Sequence, residues 1–151
     1  MTTFVDTNVL IYLLRPEDAF HEWAKTVVQE YQSKEGPLVI CDVVFSEFSV
    51  GMADLAQARG AIARFNIQRY PFSDEVLFRA GRAFKAHREQ GGKRSNVLSD
   101  YLIGAQAEIE DAPLLTNNAK EFLSYFPAVK LIRPPVPEQP GQPNSSAKDC
   151  R

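Results

Sequence analysis

At 151 residues and 44% apolar content the chain can bury one core without covalent staples, and a formal net charge of −2 argues against a uniformly basic nucleic-acid binder. Cysteine occurs only at Cys41, in an apolar run, and at Cys150, in a proline-rich tail, which excludes a disulfide framework and a clustered zinc site. With no basic leader and no run of about eighteen apolar residues, neither membrane spanning nor secretion is expected, and a reduced, cytoplasmic protein fits best.

In chain order, a short β-prone start ending at Val5 is followed by Asn8-Val9-Leu10-Ile11-Tyr12-Leu13-Leu14 at helical spacing until Arg15-Pro16 interrupts it. The pattern is strand, sharp turn, helix. Glu17 and Asp18 suit the start of a second helix, whose apolar face carries Phe20, Trp23, Ala24, Val27, Val28 and Tyr31 up to Gly36-Pro37. Leu38-Val39-Ile40-Cys41 reads as a strand covered on both faces, with a helix from about Asp42. Helical patterns recur over 53–65 and 74–88, separated by Ile67-Gln68-Arg69-Tyr70-Pro71-Phe72, whose type the pattern leaves open. After Gly91-Gly92 come a helix over 97–109, a strand at Pro113-Leu114-Leu115-Thr116, a short helix over 119–126 and a last strand at Val129-Lys130-Leu131-Ile132. Alternation of this kind predicts an α/β fold, a central parallel sheet of about four or five strands flanked by helices. Residues 1–133 form the expected domain. From Pro134 onward proline accompanies Gly, Ser, Asn and Gln, so 134–151 is expected to be a disordered tail.

Asp6 closes the first strand, Asp100 lies at the start of the helix after the glycine break, and Glu47 sits in Val43-Val44-Phe45-Ser46-Glu47-Phe48. In open α/β sheets ligands bind outside the strand carboxyl ends, where Asp6 and the Thr116-Asn117-Asn118 turn both fall. An acid on an apolar helix face implies something that offsets its desolvation, and a divalent cation does so. Quieter roles stand beside these. Asp6, Asp100, Asn118 and Asp42 all suit helix caps, Thr7 and Asn8 suit an Asx turn, and Glu47 suits an arginine pair or plain solvent. Three acids and an Asn at one predicted sheet rim tip the balance toward a site. Hard oxygen donors, with His21 and His87 isolated on helices, select Mg²⁺ or Mn²⁺ over zinc. Such ions support hydrolysis of a phosphodiester by water without a protein nucleophile.

Charge is unevenly spread. Residues 79–94 hold Arg79, Arg82, Lys85, Arg88, Lys93 and Arg94 against Glu89 alone, a local charge of +5, and leave 11 basic and 18 acidic side chains elsewhere. Either a solvated helix face or a phosphate-gripping segment beside an acidic body accounts for this.

These residues resemble the PIN-domain ribonucleases, and among them the VapC toxins of toxin–antitoxin pairs. Phe4-Val5-Asp6-Thr7-Asn8-Val9-Leu10-Ile11 is similar to the family's opening strand and Asp-Thr-Asn turn, Ser46-Glu47-Phe48 to its second acidic motif, and Val97-Leu98-Ser99-Asp100-Tyr101-Leu102-Ile103-Gly104-Ala105 to its third. Leu114-Leu115-Thr116-Asn117-Asn118 is similar to its last strand and turn. The resemblance implies a metal-dependent endoribonuclease that holds Mg²⁺ or Mn²⁺ on Asp6, Glu47 and Asp100. Thr7 and Thr116 are then supporting hydroxyls, with Asn8 beside them, and Arg88, Lys93 and Arg94 grip RNA phosphates. It also implies a homodimer neutralised by a VapB antitoxin. Asn118 departs from the family, where an Asp is common; the neutral amide leaves open one metal or two, and a catalytically weak binding module as the alternative.

Overall fold

The computed structural model describes residues 2–91 and 97–136. Strands β1 (Thr3–Val5) and β2 (Leu38–Cys41) are buried at every position, as strands with helices on both faces must be. With β3 (Gln68–Tyr70), β4 (Leu114–Leu115) and β5 (Leu131–Ile132) they form a sheet of order β3-β2-β1-β4-β5. Every neighbouring pair is parallel. The helices between them are α1 (Thr7–Leu14), α2 (His21–Glu35), α3 (Asp42–Ser49), α4 (Leu55–Arg64), α5 (Asp74–Glu89), α6 (Val97–Ile109) and α7 (Ala119–Tyr125). The expected α/β class, with a parallel sheet flanked by helices, is what the chain forms.

Several elements differ from the expectation, each for a local reason. The second helix starts at His21, because the Asp18 carboxylate accepts from the Phe20 N–H at 2.9 Å and holds Glu17 and Asp18 in a preceding turn. The ambiguous segment at 67–72 contains β3, an edge strand whose Gln68 and Arg69 face solvent and so carry no burial pattern. Asp42 does not cap α3: Cys41 occupies the cap position, and Asp42 pairs instead with Arg69 at 2.8 Å. Asp54 and Ser73 are the side chains that cap α4 and α5.

Helix α6 packs against α5, α3 and α7. Its buried Gln106 donates to the Pro71 carbonyl at 3.0 Å, tying α6 to the segment that leaves β3. At Gly104 the helix lies against the Phe126 ring. Arg79 lies over that ring at 4.7 Å from its centroid, bonding Glu108 Oε1 at 2.6 Å and the Tyr125 carbonyl at 2.8 Å. Arg79 is therefore a half-buried clamp between α5, α6 and α7 and not a free charge on a solvated face.

The direction of the winding fixes where a ligand can sit. From β1 the sheet grows one way to β2 and β3 and the other way to β4 and β5, so the strand order reverses between β1 and β4. Connections leaving two such neighbours diverge to opposite faces, opening a crevice at their carboxyl ends.

Candidate active site at the β1 and β4 carboxyl ends

Asp6 follows β1 directly and Thr116 follows β4, so both stand at that crevice. The Asp6 carboxylate accepts from the Thr7 N–H at 2.7 Å, from the Thr116 hydroxyl at 2.7 Å and from the Asn8 amide at 3.3 Å. The first of these caps α1. A cap alone needs no burial, however, and Asp6 is only 4% exposed. That burial pushes its carboxyl above the ordinary value; the Thr116 and Thr7 bonds pull it back, and the nearby charge of Glu47 raises it again.

Thr7 reaches the other way, its hydroxyl donating to Glu47 Oε1 at 3.0 Å. Glu47 itself is exposed on α3. The expectation that Glu47 is the desolvated acid is thus corrected: Asp6 carries the burial, because it hangs from an interior strand whereas Glu47 projects from the open side of a helix. The Thr116 hydroxyl also accepts from the Asn118 N–H at 2.9 Å, while the Asn118 side chain makes no capping bond to α7. Asp100 is the fourth residue of α6, past the cap position, and half-buried. Among the described residues no three His, Cys, Asp or Glu groups stand together as a closed metal cage. The hydrogen bonds gather Asp6, Thr7, Asn8, Glu47 and Thr116; Asp100 is carried by α6, a helix that packs against α3, and no such cage forms among the described residues. Arg88 lies exposed in the last turn of α5 over the Phe84 ring, and Lys93 and Arg94 fall outside the described residues.

Two participants were not legible as such in the sequence. The Asn117 side chain donates to the Tyr12 hydroxyl at 2.9 Å, and its backbone N–H donates to Asn8 Oδ1 at 3.2 Å. This lashes the β4–α7 turn to α1 and orients Asn8 toward Asp6. Only the doublet Asn117-Asn118 after a strand hinted at such a role.

The arrangement suits a hard cation. Among the described residues no Arg or Lys pairs with Asp6 or Glu47, so two neighbouring carboxylates, one buried, lack a protein counter-charge. Such a pair is disfavoured unless a bound cation offsets it. The buried thiol of Cys41 is pushed up to about 12, chiefly by that burial.

Comparison with known proteins gives the family. The family model described as the PIN domain matches residues 3–125. Ribonuclease VapC10 of Mycobacterium tuberculosis (strain CDC 1551 / Oshkosh) is 32% identical over 133 residues, covering 87% of this chain and 90% of that protein. Among solved structures, VapBC2 from Rickettsia felis bound to a promoter DNA fragment superposes with a TM-score of 0.67 at 22% identity, covering 88% of this chain and 98% of that one. VapBC-1 from nontypeable Haemophilus influenzae gives 0.66 at 21% identity, with the same shares covered. Mycobacterium tuberculosis VapC20, a toxin that cleaves the sarcin-ricin loop, gives 0.59 at 18% identity, covering 82% and 95%. With a family model spanning most of its length and a VapC relative aligned over nearly all of the fold, this chain belongs to the PIN domain family.

Proposed function

We propose that the chain is the endoribonuclease toxin of a toxin–antitoxin pair, cleaving RNA phosphodiester bonds with a divalent cation and water. One catalytic domain, residues 1–133, carries the activity, and the cation is Mg²⁺ or Mn²⁺. The observation that supports this most is the pair Asp6 and Glu47, bridged by Thr7 at the switch point and unneutralised by any described Lys or Arg. Asp6, Glu47 and Asp100 are the residues that would hold the cation. When bound, such an ion polarises the scissile phosphate and makes water a competent nucleophile at neutral pH.

The chain's own residues do the rest. Thr116 and the Thr7 N–H fix both oxygens of Asp6, so its remaining lone pairs keep one direction. Thr7 holds Glu47 by a single hydroxyl bond, which lets the exposed acid turn toward a ligand. Asn118, next in line after Thr116, offers an amide oxygen and no charge, which favours one tightly held ion. Arg88, Lys93 and Arg94 grip phosphates leading to the site. Since the structural neighbours include a toxin–antitoxin complex from Klebsiella pneumoniae and a member of the VapBC family of toxin–antitoxin systems, a VapB-type protein is the partner that silences this site, and self-association into a homodimer belongs to the same reading. No helix among the described residues is long and apolar enough to cross a membrane.

Incubation with total RNA in Mg²⁺ or Mn²⁺ tests the reading. Cleavage is expected, stopped by EDTA and lost in Asp6→Asn with the far-UV spectrum unchanged. Cleavage that survives both EDTA and the substitution rejects it.

A further inference from the structure

Glu47 belongs to two places at once. It bonds Thr7 in the acidic centre, and it also lines a cavity of about 640 Å³ between α1, α3 and α4. The floor of this cavity includes Ile11, Phe48 and Met52, and Arg15 and Arg64 stand among its walls. Both arginines are exposed, and neither is in an ion pair among the described residues, unlike Arg69 and Arg79. A pocket of this size is ample for one small organic group. An apolar lining with two guanidinia outside any described ion pair, Arg64 resting over the Phe65 ring at 5.4 Å, opens onto a carboxylate centre and matches a nucleotide: a base has an apolar face, and its phosphate supplies the counter-charge for the two arginines.

The geometry points to a nucleotide subsite, in which one nucleotide of the RNA strand beside the scissile bond lays its base on Ile11, Phe48 and Met52 and its phosphate meets Arg15 and Arg64. The inference rests on the ribonuclease reading and adds to it a second anchoring point, built from α1, α3 and α4 and separate in sequence from any grip at the end of α5. The apolar floor supplies affinity with little base selectivity, and the arginines fix the backbone.

Gly60, on α4 and lining the cavity, allows a clean test: a Cβ built there meets nothing within 4 Å. Gly60→Leu therefore fills the cavity from a helix that gains propensity by the change, so the melting temperature should hold or rise. On a fluorescent mixed-sequence single-stranded RNA, Gly60→Leu is expected to raise KM about tenfold with kcat kept. Arg15→Ala with Arg64→Ala should raise KM similarly and flatten the salt dependence of binding by about 0.7 in log–log slope for each phosphate no longer neutralised. Unchanged KM and salt slope in these variants, with wild-type cleavage intact, overturns the subsite and leaves the ribonuclease reading standing. RNA kinetics unchanged while Gly60→Leu releases a co-expressed antitoxin makes the cavity a protein-docking groove and likewise overturns it. Wild-type protein that neither cleaves nor binds RNA removes the parent reading, and the subsite with it.

Discussion

Gly104→Ala is the substitution whose effect follows most directly from distances. A Cβ at this position lands against Phe126, 2.7 Å from Cε2, 3.0 Å from Cγ and closer still to Cδ2, where carbon atoms normally rest about 3.5–4.0 Å apart. The ring would have to retreat by roughly 1 Å. It has little room to move: Phe126 is fully buried and its ring also carries the Arg79 guanidinium, itself bonded to Glu108 and the Tyr125 carbonyl. Overpacking of this kind typically costs about 1–3 kcal/mol, against a gain of about 1 kcal/mol from replacing glycine inside a helix. The rooted Cβ and clamped ring put the clash at the upper end, so a net loss of about 1–2 kcal/mol is expected. At this chain length that lowers the melting temperature by roughly 2–8 °C. Since α6 also carries Asp100 one turn earlier, cleavage should fall in the same variant. Differential scanning fluorimetry, repeated in a Phe126→Leu background, isolates the clash: the smaller side chain should absorb most of the added methyl, giving clear non-additivity. A Gly104→Ala protein that melts higher than wild type would refute the steric reasoning and leave helix propensity as the winner.

Three further outcomes follow from the site. Thr116→Val keeps the shape but removes the hydroxyl that donates to Asp6 and accepts from the Asn118 N–H; a bond to a charged group is worth about 1.5–3 kcal/mol, so kcat should drop roughly 10- to 100-fold, with Thr116→Ser restoring most of it. Because burial raises the Asp6 pKa above 3.8, the folded state holds that proton longer than the unfolded chain does. Its contribution to stability is thus fully present below the ordinary value and is lost as pH rises through the folded one. In EDTA, Asp6→Asn should therefore gain stability relative to wild type as pH rises from about 4 towards neutrality, and a pH-independent difference in melting temperature would contradict this. Lys93→Ala with Arg94→Ala should weaken RNA binding and flatten its salt dependence, whereas removing Arg79 should instead unfold or loosen the protein; equal salt slopes before and after the lysine–arginine change would remove that segment from the RNA path.

What the sequence made legible, and what it hid, divides along burial. Strands β1 and β2 stood out because interior parallel strands are apolar at every position, and α6 because its apolar run is bounded by the glycine break and Pro113. The edge strand β3 did not, since Gln68 and Arg69 face solvent and only Tyr70 turns inward. Motif spacing placed Asp6, Glu47, Asp100 and Asn118 at one rim; hydrogen bonds through Thr7 and Thr116 link Asp6 to Glu47 and to the Asn118 N–H, while Asp100 is carried separately on α6. It could not say which acid is desolvated. A polar residue in an apolar stretch of helix looks buried by its neighbours, yet the helix turns Ser46 and Glu47 outward, while Asp6 is sealed by a partner 110 residues away in sequence. Arg79 misled for the converse reason. Its charge reads as surface until the partners Glu108, Tyr125 and Phe126, all distant in the chain, converge on it.

The two acids of the bridged pair are held with different stiffness, and the difference follows from the elements that carry them. Asp6 is fastened through the sheet: its N–H donates to the Leu115 carbonyl at 2.9 Å, and Thr116, which binds its side chain, is in turn fixed to Ile132 at 3.0 Å. Moving Asp6 means breaking strand pairing. Glu47, exposed and held by one hydroxyl, can change rotamer without disturbing the core. A rigid buried carboxylate sets position, and a compliant exposed one adapts to the ligand and to its release. A buried carboxylate beside a second acid opposes folding, a cost that protonation of Asp6 relieves at low pH and that a bound cation would relieve at neutral pH. On the proposed reading, stability of the fold and occupancy of the site are for that reason coupled, and the coupling runs through Asp6.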